Sequence, residues 1–200
     1  MMSKTKKYFL RFLAVCVGVV LGMFFFFPWS LVAENAIDIA QKIAAQNGIF
    51  LTVSSAEEHG VFAKHFVYED MNADFPVFRL KTNSMTVTPH ILSSLVGSKK
   101  CTFEFARGSI VLLTRQELAW NSGSAVITMN SDTLGISDIS FTGKTNVTGF
   151  LELSRSDLAI VRAKVVIKAD PGLDRAFELV RTMTSAPLTK TAAGEWRLER

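Results

Sequence analysis

Apolar residues form an unbroken run, then recur with a helical period, then with a period of two, and these changes divide the chain. From Phe12 to Ala33 there is no charged side chain, and Phe12 to Phe27 is almost wholly apolar, continued by Pro28 and Trp29. A helix rising about 1.5 Å per residue needs roughly 20 such residues to cross a hydrocarbon layer. The stretch therefore predicts a transmembrane anchor over 12–33, with Trp29 where an interfacial aromatic sits. A cleaved signal peptide shares the basic start. It ends in small residues, however, and Leu31-Val32-Ala33 is a poor match.

Beyond Ala33 the period becomes helical. Ile37, Ala40, Ile43 and Ala44 recur at the spacing of one helix face, and Asn47-Gly48 supplies a stop, so a short amphipathic helix is expected over 34–47. The period then drops to two, the mark of half-buried strands. Phe78 and Leu80 alternate with Arg79 and Lys81, Met85 and Val87 with Thr86 and Thr88, and Phe103 and Phe105 with Thr102 and Glu104. Ala125, Ile127 and Met129, then Leu151 and Leu153, then Val161, Ala163, Val165 and Ile167 continue the pattern. Gly108, Ser122-Gly123, Gly135 and Gly143 are read as the turns of an antiparallel meander. Two helices interrupt it. Thr88-Pro89 reads as a cap and first helical position opening a helix over 90–96, closed by Gly97, and Asp170-Pro171 repeats that opening. The second helix would carry Leu173, Ala176, Phe177 and Val180 on one face and stop before Pro187, with a last strand over 195–200.

Charge changes the picture by its location. Lys4, Lys6, Lys7 and Arg11 all precede the apolar run; without them the 22 basic residues fall to 18, matching 18 acidic ones. A balanced body has no electrostatic footprint for a phosphate backbone, so no nucleic-acid partner is expected. The four cations instead set topology by the positive-inside tendency. They predict a cytoplasmic tail over 1–11, a single-pass inner (plasma) membrane anchor over 12–33, and an extracytoplasmic domain over 34–200, periplasmic in a Gram-negative cell.

Cysteine usage and candidate chemistry narrow the function. Cys16 lies inside the apolar run and Cys101 in the body, so no disulfide is expected and stability must come from apolar burial, which 16 Phe can supply. Leu13-Ala14-Val15-Cys16 is a weak lipoprotein-box match, because Val15 is bulky and the apolar run continues. His59, His65 and His90 lack the i, i+4 spacing or Cys companion of a zinc site. No Gly-x-Ser-x-Gly elbow occurs, and Ser122-Gly123-Ser124 reads as a hairpin turn. Glu57-Glu58 and Glu69-Asp70 are neighbours that point to opposite strand faces, which leaves them as solvated loop and strand-end charges. Asn146-Val147-Thr148 is a glycosylation sequon that matters only in a eukaryotic secretory setting. No phosphate-binding glycine loop is present. The body reads as a non-enzymatic β module without metal or cofactor.

One stretch is specific enough to carry a resemblance. A strand with alternating polar residues around Met85, the run Pro89-His-Ile-Leu-Ser-Ser-Leu-Val-Gly, then Cys101-Thr-Phe-Glu-Phe-Ala-Arg-Gly and a further apolar strand resemble the type II secretion protein N (GspN) family. Phe141-Thr-Gly-Lys-Thr-Asn-Val-Thr-Gly-Phe-Leu-Glu-Leu and the anchor running into a Phe-Phe-Phe-Phe-Pro segment add to it. That family is similar in turn to AsmA-like envelope proteins. The resemblance implies a mainly β fold: a transmembrane helix followed by a curved antiparallel sheet with an apolar inner face and two or three short helices. It also implies a role accessory to protein secretion, with secretion-apparatus or envelope proteins and membrane lipid as partners. AsmA-like relatives suggest the alternative of lipid binding or transfer, for which Phe103, Phe105, Val161, Val165 and Ile167 would line the candidate groove.

Overall fold

The structure is a computed structural model that describes residues 14–15, 17–19, 22, 27–46, 48–60, 64–76, 78–90, 99–112, 115–156, 159–184 and 187–200. Most of the chain from residue 50 onward is strand. Among the described residues thirteen antiparallel strands form one open sheet: β1 (Phe50–Thr52), β2 (Ser55–His59), β3 (His65–Asp74), β4 (Phe78–Pro89), β5 (Lys99–Phe105), β6 (Gly108–Leu112) and β7 (Glu117–Trp120) come first. They are followed by β8 (Ser122–Met129), β9 (Thr133–Thr142), β10 (Asn146–Ser154), β11 (Ile160–Lys168), β12 (Leu188–Ala192) and β13 (Glu195–Glu199). The spatial order is β1-β3-β4-β5-β8-β9-β10-β11-β13-β12, with β2 also on β3. Strand β4 is long enough to hold two partners along one edge, pairing with β6 over its first half and β5 over its second. The β6–β7 hairpin thereby branches from the main path.

Two helices cover the two ends of one sheet face. Helix α1 (Trp29–Gln46) begins after Pro28, five residues before the start expected from periodicity. Trp29, Ala33 and Ile37 follow one another at i, i+4 and meet Phe66, Tyr68, Met85 and Val87. Ala33 is fully buried, because only a methyl lets the helix approach the strands so closely. Ile43 of the expected face is instead 55% exposed: the helix touches a narrow strip of sheet and needs only a narrow stripe. It ends as anticipated, with Gly48 at φ +70° and the Ile49 N–H donating to the Ala44 carbonyl at 2.9 Å. Residues 29–33, the end of the expected anchor, are the first turns of this helix. Most of 12–28 lies outside the described residues, and among the described residues no helix is long and apolar enough to cross a membrane.

Helix α2 (Asp174–Thr184) follows a 3-10 turn, Pro171–Leu173, and opens as expected. The Asp170 carboxylate accepts from the Gly172 N–H at 2.7 Å, and Pro171 fills the first helical position. Leu173 and Phe177 pack on Leu188 and Trp196, with Leu118, Ile167 and Leu198 around them. Trp196 is completely buried.

Several expected elements are corrected. Thr88 and Pro89 end β4 instead of opening a helix: Pro89 faces Cys101, and a strand terminus tolerates a residue without an N–H. The expected helix over 90–96 lies outside the described residues beyond His90. Gly108 begins β6, Ser122 and Gly123 begin β8, and Gly135 lies inside β9; none of these is a turn. At Gly123 a Cβ would stand 2.2 Å from the Phe141 ring, so glycine is there for packing. Glu58 is no solvated charge either, since it pairs with Lys64 and the two side chains are 23% and 11% exposed.

Candidate functional site: the apolar face of the sheet

Cross-strand partners in an antiparallel ladder share a face, so the register identifies what each face carries. One row runs Tyr68, Met85, Phe105, Gly123, Phe141, Val147, Ile167, Trp196 across eight strands. At the ordinary strand spacing of about 4.8 Å, that row is about 34 Å wide. A neighbouring row begins Phe66, Val87, Phe103, Ala125 and, past the irregularity in β9, resumes as Ile139, Gly149, Val165, Leu198. Nearly every position in both rows is apolar.

Four of the five residues expected to line a groove fall in these rows. Phe103 and Phe105 stack at 6.5 Å between ring centroids, while Val165 and Ile167 lie four strands away on the same face. Ile167 is packed into the α2 cluster and is not open lining. Val161 is placed elsewhere: the register slips between Glu152 and Leu153, leaving Val161 without a partner across the ladder and 45% exposed. Sequence reasoning missed Phe141 and Trp120. Phe105 meets Phe141 at 5.4 Å, and Phe141 meets Trp120 edge-on at 5.3 Å. These rings belong to three separate stretches of chain, and only strand register joins them.

The face is covered unevenly. Helix α1 buries its β3–β4 end and α2 its β11–β13 end. The β6–β7 hairpin reaches over one border, placing Leu118 in the α2 cluster and Trp120 against Phe141. Between these covers the large side chains Phe103, Phe105, Ile127, Ile136, Leu151 and Val165 are half-buried. The electrostatics match an apolar setting. Burial pushes both the Tyr68 phenol and the Cys101 thiol above their ordinary values, so each is held protonated. Among the described residues no group of three or more His, Cys, Asp or Glu is placed to hold a metal. His59 and His65 stack at 5.7 Å, with the Glu57 carboxylate 3.2 Å from His59 Nε2. The arrangement can bind apolar matter or pack against it.

Comparison with known protein families decides the affiliation. A family model described as type II secretion system protein GspN-like, from Synergistales, matches residues 6–200. The chain belongs to that GspN-like family. The match spans the apolar segment and the whole sheet domain, so the two parts belong to one family unit. No curated protein and no solved structure matches the chain.

Proposed function

We propose that this GspN-like protein is a non-enzymatic, membrane-tethered component accessory to type II protein secretion, with its sheet domain in the periplasm. Family membership over 6–200 carries the proposal. The uncharged stretch over 12–33, with four cations before it, supports the tether and its orientation. Ala14, Val15, Val17, Gly18, Val19 and Gly22 are helical, and Val15, Val17 and Val19 are 64%, 49% and 55% exposed, as lipid-facing side chains are. Crosslinking in native membranes followed by purification is the test. Recovery of secretion-apparatus subunits is expected, and their absence from the crosslinked material counts against the role.

The half-buried middle of the apolar face favours a second reading, in which the domain takes up acyl chains between its two helices. Mass spectrometry of gently extracted protein should then find lipid at near-stoichiometric level. Phe105→Asp, which puts a charge into that face, should remove it.

A further inference from the structure

The opposite side of the branch hairpin carries a different surface. A cleft of about 390 Å³ is lined by Lys81, Arg107 and Lys144, with Glu117 as its single carboxylate. Among the described residues none of the three cations is in an ion pair, whereas Lys64, Arg79, Lys168, Lys190 and Arg197 are. Neutral donors complete the lining. Asn83 and Asn121 reach it, and Ser109 is buried at its base.

The cations come from three places in sequence, and the backbone that unites them is tightly fixed. Lys81 faces Ser109, which faces Ala119, and the Thr145 N–H then donates to the Ala119 carbonyl at 3.0 Å. One line of main chain thus spans β4, β6, β7 and the β9–β10 turn. A Cβ at Gly108 would lie 2.4 Å from the Lys81 carbonyl and 2.5 Å from the Trp120 ring. At Gly143, where φ is +154°, it would lie 2.8 Å from the Trp120 Cα. The Trp120 indole is itself held by its N–H on the Ala106 carbonyl at 2.8 Å. Such a floor does not need ordering when a ligand arrives, which favours binding.

We propose that this cleft binds a phosphate group, either free or as the headgroup of an anionic lipid. Three cations against one carboxylate leave an excess positive charge, and a guanidinium presents paired donors that match tetrahedral and planar oxyanions. The volume lies within the range of small-ligand sites. The site is separate from the apolar face and stands whether or not the secretion role does.

The test uses the full chain in neutral detergent, titrated with inorganic phosphate by calorimetry, and the same chain with phosphatidylglycerol or phosphatidylcholine vesicles. The variant Lys81→Gln/Arg107→Gln/Lys144→Gln should weaken binding at least tenfold. Lys99→Gln/Lys100→Gln, which removes two cations away from the cleft, should leave it within twofold and controls for the loss of positive charge as such. Thermal unfolding checks that each variant folds. Lys144→Gln alone, on a solvent-facing turn, should weaken binding about threefold if the triple variant does not fold. Binding of inorganic phosphate that the cleft variant loses identifies a free anion. Binding of phosphatidylglycerol vesicles alone, lost in the same variant, identifies a headgroup. Binding of neither probe, or binding that the cleft variants leave unchanged, overturns the proposal.

Discussion

Trp196 and Asp174 hold the C-terminal end of the domain together, and they fail under different conditions. Trp196 is wholly buried among Leu173, Phe177 and Leu188, and its indole N–H donates to Asp174 Oδ1 at 2.8 Å. Replacing so large a buried side chain leaves a cavity and takes one donor away from the Asp174 carboxylate. Trp196→Ala should lower unfolding free energy by about 3–5 kcal/mol in urea titrations. Asp174 also takes the Lys190 ammonium at 2.7 Å and the Gly194 N–H at 3.1 Å. The Lys190 hydrogen bond, then that of Trp196, holds its carboxyl below the usual carboxylate range. A depressed folded pKa means stability that is present above the ordinary value of about 3.9 and is lost as pH falls through the lowered one. Melting temperature should therefore drop on acidification below about pH 4, and Asp174→Asn should flatten that acid limb while lowering stability at neutral pH.

Glycines show at the scale of elements why part of the architecture was legible in the sequence and part was not. Gly143 is in a turn, as its sequence context suggests, but Gly123 and Gly135 are inside strands. Gly123→Ala should push the Phe141 ring off the row and cost roughly 1–3 kcal/mol, whereas Gly135→Ala, whose nearest contact is the Thr128 carbonyl at 3.7 Å, should be nearly silent. Denaturant midpoints of the two variants check the contrast. Strands β4, β5, β8, β10 and β11 were readable because one-sided burial forces alternation into their sequences. Strands β1, β2 and β12 were not. Leu188-Thr-Lys-Thr-Ala, for example, buries one residue and exposes the next four. Thr88-Pro89 misled because a proline is as acceptable at a strand end as at a helix start. The candidate groove was visible as Phe103, Phe105, Val165 and Ile167, but its aromatic centre depends on register between strands far apart in sequence. The cationic cleft was hidden for the same reason, its members lying at positions 81, 107 and 144.

For the whole molecule, compartment governs every functional proposal. A tether over 12–33 predicts a mature protein that begins near Met1, resists alkaline carbonate extraction and exposes only its sheet domain to protease from the periplasmic side. Val19→Arg should add about 2.5–3.5 kcal/mol to insertion and release a measurable fraction from membranes. Reversing Lys4, Lys6, Lys7 and Arg11 to acidic residues should disturb orientation while leaving the hydrophobic length unchanged. A mature N-terminus near Glu34 would instead mean a cleaved signal peptide. The connectivity of the sheet bears on how such a domain is made. Apart from β1 on β3, β6 on β4, β5 on β8 and β11 on β13, each pairing joins strands adjacent in the chain. Loops between such neighbours close at small entropic cost, and local pairings form early. A domain delivered through a pore in N-to-C order could then zip up strand by strand as it emerges, with β12 and β13 sealing the edge last.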